Sequence, residues 1–223
     1  MSYLVANNKM VIANNKYLTV SNGVYDYDGN LYTYVTIGTQ QWIVGNLKTT
    51  HYANGVPITN ITVNASWASY QEASAGAYSW KNNDYDMYNE YGALYNWYAV
   101  DNSNGLSIDG WRIPSKTDLD TLATYLGSDP GGKLKEVGTE HWTPDNIGAT
   151  DMYGFKSIGG GDRMDNTGNF DHFNTIEHLW TSTSVVANPS DAWVRLIANN
   201  TTNLTSGSDD KIKGNHVRCM RDA

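Results

Sequence analysis

The chain has one cysteine in 223 residues, Cys219. A lone thiol excludes an intramolecular disulfide and any zinc centre built from cysteine clusters. Positive charge is also scarce: 15 Lys and Arg stand against 23 Asp and Glu, for a net charge of -8 and a pI near 4.9. That balance opposes phosphate backbones and anionic lipid surfaces, so nucleic acid is not an expected partner. No apolar run approaches the roughly 20 residues of a membrane span. The longest near the N-terminus is Met10-Val11-Ile12-Ala13, and no secretory leader is visible there, which predicts synthesis in a bacterial cytoplasm and no membrane insertion. Phenylalanine is rare, at 3 residues, while Trp and Tyr number 8 and 16. Rings with a polar handle suit wet interfaces and sugar faces as well as the core of a loop-rich fold.

A chain of this length can bury one sizeable core plus a small appendage. The first residues repeat themselves, Ala6-Asn7-Asn8-Lys9 being echoed by Ala13-Asn14-Asn15-Lys16. Asn pairs favour turns over helices, so short strands with tight turns are expected over residues 1–21. Such an arm serves docking or oligomerisation, or is an edge hairpin of the main domain, which spans 22–223. From Val24 the pattern is β, with Asp28-Gly29-Asn30 as a turn between strands. The Asp26, Asp28, Asn30 spacing also matches the start of a calcium loop but lacks a downstream bidentate glutamate. Helical spacing occurs at Tyr91, Leu94, Tyr95, Tyr98 and again at Leu119, Leu122, Leu126. The second run has Ser115 as its cap, Asp118 three residues on, and Gly127 as its stop. The fold class expected is α+β, with two helices, small mixed sheets and long loops.

The C-terminal part holds the clearest functional signal. Strand-like Ala192–Ile197 and Gly214–Cys219 bracket a run of Asn, Thr, Ser, Asp and Gly, which buries little apolar area. An exposed, chemically varied loop between rigid strands is a recognition surface rather than a reaction centre. The ligand-binding residues expected are Val194, Leu196, Ala198, Asn199, Asn200, Thr201, Asn203, Thr205, Ser206, Ser208, Asp209, Asp210, Lys213 and Asn215. They should be mostly accessible and share one face, whereas Trp111, Trp180, Trp193 and Cys219 should be buried. No aromatic follows Trp193, so an aromatic anchor must come from neighbouring segments such as Tyr153–Phe155 or Phe170–Phe173.

Six segments in order carry a resemblance: Tyr27-Asp28-Gly29-Asn30, Gln41-Trp42-Ile43-Val44-Gly45-Asn46-Leu47, Tyr91-Gly92-Ala93-Leu94-Tyr95-Asn96-Trp97, Gly110-Trp111-Arg112-Ile113-Pro114-Ser115, Leu179-Trp180-Thr181-Ser182-Thr183 and Val217-Arg218-Cys219-Met220-Arg221-Asp222. Over residues 24–222 the chain resembles the Fibrobacter-type major paralogous domain. The resemblance implies a C-type-lectin-like fold with its ligand surface on the final strands. It also implies diversification by a retroelement that rewrites adenine-containing codons, here within 194–216. Many relatives look like exported lipoproteins; this chain begins with the Asn-Asn-Lys arm instead. That combination points to a phage tail or fibre-tip adhesin, a homo-oligomer whose arm joins a virion protein and whose lectin face meets a host receptor, protein or glycan. The alternatives are a structural or assembly protein and a bacterial surface carbohydrate-binding module.

The residues offer little for catalysis. The Glu-Pro-Asn and Gln-Pro-Asp loops of calcium-dependent lectins are missing, Asn188-Pro189-Ser190 being the nearest, so calcium-free binding with no metal and no cofactor is expected. Oxidases on the same fold use a cysteine pair, and Cys219 stands alone. Glu136, Glu140, His141 and Asp145 lie close together but without metal or triad spacing. His172 and His178 flank a loop, where satisfied surface or core roles outweigh ligation.

Overall fold

The computed structural model describes residues 23–70 and 74–223, with the backbone of strands β1 (Val5–Ala6), β2 (Lys9–Ile12) and β3 (Lys16–Thr19). These three pair antiparallel in the order β1-β2-β3. The contacts expected of the arm with other chains lie outside the described residues.

The Asp26–Asn30 segment forms a hairpin turn between β4 (Gly23–Tyr25) and β5 (Leu31–Ile37). Asp26 accepts hydrogen bonds from the Asn30 amide and side chain, each at 2.9 Å, and from the Tyr32 hydroxyl at 2.8 Å. Gly29 has φ +81°, the left-handed conformation that glycine adopts without strain. Beyond β5 come β6 (Gln40–Ile43) and, from the far end of the chain, β15 (Met220–Asp222), giving the antiparallel order β15-β6-β5-β4. A mixed sheet joins β7 (Thr59–Asn60), β8 (Ala77–Ser79) and β9 (Leu94–Tyr95), with β7 and β8 parallel. A short pair, β10 (Asp162–Arg163) and β11 (Phe170–Asp171), precedes the sheet β12-β13-β14. Strands β12, β13 and β14 are Ile176–Ser184, Asp191–Ala198 and Leu204–Asp210.

The helices are α1 (Asn64–Ser69), α2 (Tyr85–Tyr91), α3 (Trp97–Val100), α4 (Lys116–Leu126) and α5 (Pro130–Leu134). The architecture is α+β, and α4 is where local rules decide everything. Ser115 and Asp118 close a reciprocal capping box, Gly127 ends the helix, and Leu119, Leu122 and Leu126 are buried. The other expected helix, over 91–100, is divided. Gly92 takes φ +78° and ends α2, Leu94 and Tyr95 pair as β9, and Asn96 caps α3 through the Ala99 amide. The apolar spacing there is real, but Tyr91, Leu94 and Tyr95 reach the core from different elements.

Two apolar clusters sandwich the β12-β13-β14 sheet. One holds Tyr95, Trp97, Trp111, Trp180, Val194 and Cys219; the other holds Trp42, Leu119, Leu122, Trp142, Ile197 and Met220. Burial of Trp111, Trp180 and Cys219 agrees with expectation. Through the middle runs a buried ion pair, Arg218 to Glu177 at 3.4 Å, with the guanidinium also donating to Asn46 Oδ1 at 2.9 Å and the Lys156 carbonyl at 2.8 Å. A buried charge pair of this kind is costly to break because the surviving partner is left without compensation.

Candidate ligand-binding surface

The expected surface is a hairpin, not a long loop. Residues 204–210 form the edge strand β14, in register with β13 from Ile197↔Leu204 to Asp191↔Asp210. Polar residues with poor strand propensity adopt this conformation because β13 supplies a full ladder of backbone bonds, while the side chains of Thr205, Ser206 and Ser208 stay exposed. Only Asn199–Asn203 remains as a turn.

Strand alternation corrects the expectation of one shared face. His178, Leu196 and Thr205 stand in one cross-strand row, followed on the same face by Trp180, Val194 and Gly207 and by Ala192 with Asp209. The opposite face carries Trp193 with Ser208, Arg195 with Ser206, and Ile197 with Leu204. Val194, at 1 % exposure, lies in the core, while Trp193, expected to be buried, is half-exposed under Lys116. Because both sheet faces are covered, apolar content could not set the parity. Asn215 is also inaccessible, at 0 % exposure: its backbone pairs with Tyr95 in both directions, at 2.9 and 3.0 Å. Asn200, Asn203, Thr205, Ser206 and Ser208 are exposed, and Leu196, Ala198, Asn199, Thr201, Asp209, Asp210 and Lys213 are half-buried.

The turn is gripped by its main chain. Lys135, itself fully buried, donates from Nζ to the carbonyls of Ile147 at 2.8 Å, Ala198 at 2.9 Å, Thr201 at 2.9 Å and Asn199 at 3.4 Å. The first turn of α5 points Gly131 and Gly132 amides at the Thr202 carbonyl, at 2.8 and 3.2 Å. The Ile147 amide donates to the Asn199 carbonyl at 2.7 Å, and the Asn199 amide to Thr175 at 2.9 Å. A Cβ on Gly131 would collide with the Asn203 carbonyl oxygen, so the closeness depends on glycine. Thr202 adds one side-chain bond, to Asp129 at 2.7 Å.

At the other end of the hairpin the structure gathers a polar cluster only partly visible in the sequence. Asp209 accepts from Asn215 Nδ2 at 2.9 Å and Lys213 Nζ at 3.2 Å, and it meets His178 Nδ1 at 3.1 Å. Lys213 also donates to Asp162 at 3.0 Å, and Asp162 meets His172 Nδ1 at 2.8 Å. Burial works against the Asp209 charge, but the His178 contact, the Lys213 charge and the Asn215 bond outweigh it and hold the carboxyl at about 2. Asp162 is likewise lowered: burial is outweighed by His178, His172 and Lys213. Lys213 answers with a raised pKa, its burial overcome by the two carboxylates. Asp162, His172 and His178 were not among the expected binding residues; they come from β10, the β11–β12 connection and β12, and no spacing in the sequence links them.

Of the aromatic anchors considered, Phe155 is fully buried. Phe173 is half-buried, its ring 4.7 Å from that of Tyr91 and 3.0 Å beneath Lys81 Nζ. A groove lined by Ile37, Gly38, Thr117, Thr121 and Tyr125 lies against α4, away from the cluster. Its carboxylate, Asp120, is already paired with Arg195 and Lys116. No described helix is long and apolar enough to cross a membrane.

An α+β domain whose last strands form an anchored hairpin with an outward polar edge is the class that fold and surface define. The chain belongs to the Fibrobacter succinogenes major domain family, which matches residues 35–221. No curated protein and no solved structure matches the chain.

Proposed function

We propose that this chain is a receptor-binding protein of C-type-lectin-like architecture that presents a retroelement-diversified polar surface on β14 and the Asn199–Asn203 turn. The observation that carries the reading is how the turn is held. Its anchors reach carbonyl oxygens and amides, which every residue but proline has, so side chains at 199, 200 and 203 can be exchanged without loosening the backbone, while Thr201 also accepts the Asn203 amide on its Oγ1 at 3.2 Å. An edge strand paired on one side gives the same freedom to Thr205, Ser206 and Ser208. A surface that must vary while its scaffold stays fixed needs this separation.

The ligand is a surface receptor of a host or target cell, protein or glycan, and the setting is a phage tail or fibre tip. The arm of residues 1–21 would join copies of the chain or a virion protein. Recognition is calcium-independent, and no group is assigned a catalytic role. Small polar side chains give modest affinity, because binding hot spots rest on Trp, Tyr and Arg.

Pull-down of host surface material tests this. Protein with Asn200, Asn203, Thr205, Ser206 and Ser208 all changed to Ala should lose capture while keeping its circular dichroism, and added calcium should change neither result. Equal capture by the substituted protein overturns the surface; a calcium requirement overturns calcium-free recognition. A second genomic copy of the segment encoding 194–216, differing only at adenines beside a reverse transcriptase gene, is the expected signature of diversification. Removing residues 1–21 should leave a folded domain of altered assembly state by light scattering, and a monomer both before and after removal would refute oligomerisation through the arm.

A further inference from the structure

We propose that Asp162, His172 and His178 form a binding site for a divalent transition metal of the zinc class, with Asp209 as the residue that orients His178. One possible donor atom from each of the three lies within 4.8 Å of the other two, close to the roughly 4.2 Å that two ligands of one zinc can span, so a small side-chain shift closes the site. The site comes from geometry alone and stands apart from the recognition reading.

The chemistry of each donor supports it. His178 is 4 % exposed, and its Nδ1 is committed to Asp209 at 3.1 Å. Its Nε2 is buried and has no hydrogen-bond partner among the described residues. A buried ring nitrogen left alone forfeits about 1–3 kcal/mol of solvation. A carboxylate on one imidazole nitrogen fixes the tautomer that leaves a lone pair on the other, the arrangement seen behind metal-bound histidines. His172 brings its ring centroid to 5.5 Å from that of His178, and its half-exposed side chain opens the site to solvent. Asp162 supplies the carboxylate from a fully buried side chain.

Two imidazoles and one carboxylate select zinc, nickel or copper over calcium and magnesium, which want oxygen shells. Lys213 sits 3.0 Å from Asp162 and 3.2 Å from Asp209, so with neutral rings the two carboxylates and one ammonium leave one net negative charge for the ion. The 2.8 Å contact between His172 and Asp162 must open for both to ligate, and a ring nitrogen that takes the ion leaves the proton of the neutral imidazole on its other nitrogen.

The test uses the full chain without a histidine tag, stripped of metal and titrated with zinc chloride by calorimetry in two buffers of different ionisation heat. The expected result is one saturable zinc site, unaffected by excess calcium or magnesium. His172→Gln, at a half-exposed side chain, should weaken zinc binding at least tenfold while the metal-free protein keeps its circular dichroism. Asp209→Asn should weaken it roughly 10- to 100-fold, as loss of an orienting carboxylate does. His178→Gln should abolish it; if that variant does not fold, His172→Gln decides. No saturable binding, or equal binding by His172→Gln, overturns the site and leaves the Lys213 ammonium as the cation these carboxylates hold.

Discussion

Replacing Lys135 by Met tests whether the hairpin turn is held by its main chain. Methionine keeps the length and apolar stem of the lysine but removes every donor. Three of the four contacts are short, at 2.8, 2.9 and 2.9 Å, to Ile147, Ala198 and Thr201; the Asn199 carbonyl keeps its 2.7 Å bond from Ile147. The carbonyls of Ile147 and Thr201 have no other partner outside the regular ladders. At about 1–2 kcal/mol for each carbonyl left without its donor, the loss comes to about 2–4 kcal/mol. Urea unfolding should show a lower midpoint at unchanged slope. Hydrogen exchange at the Gly131 and Gly132 amides, which donate to Thr202, should quicken, because the turn that presents that carbonyl loosens. As control, Asn200→Ala and Asn203→Ala should each stay within about 0.5 kcal/mol, as surface changes do. A Lys135→Met loss below that same margin, or a larger loss from the asparagine variants, would refute anchorage through the backbone.

Gly131→Ala should cost about 1–3 kcal/mol by forcing α5 away from the Asn203 carbonyl; a wild-type urea midpoint would show that the close approach is not needed. Val194→Ala should cost about 1–3 kcal/mol, since this side chain fills the core; a neutral result would return it to the ligand surface. Burial works to lower the His141 pKa, but Glu136 at 2.5 Å and Glu90 at 2.7 Å outweigh it and raise it. A raised folded value means stability present in full below the unfolded pKa of about 6.5 and lost as pH climbs through the folded one. His141→Gln should therefore lose more stability at about pH 5.5 than at about pH 8.5, and equal losses in urea titrations at the two would remove the ion contacts from the account.

Much of this was legible where the rules are local. Helix α4 follows from Ser115, Asp118 and Gly127, and the β4–β5 turn from Asp26 and Gly29, because each cap and turn is satisfied within a few residues. The helix read across 91–100 failed at Gly92, a residue whose left-handed conformation stops α2. The exposed polar segment was visible as composition and misjudged as geometry. Polar content marks exposure, yet it cannot say that 204–210 is an edge strand, nor which of Trp193 and Val194 faces the core when both sheet faces are covered. Asp162, His172 and His178 were beyond sequence logic altogether, since only the folded sheet brings β10 and β12 to Asp209 on β14.

The pairing of β15 with β6 has a consequence for the order of folding. Strand β6 near the start of the matched region waits for Met220–Asp222 to complete its ladder, and Asn215, Val217 and Cys219 thread backbone bonds to Tyr95, Leu47 and Ile43 on the way. The domain therefore cannot close while its C-terminal strand is still being synthesised. A chain interrupted anywhere in the hairpin loses this last strand along with the surface, and is left as an open, protease-sensitive intermediate. Display and completeness are thereby coupled: a product folded well enough to survive has been translated through every position of the exposed edge.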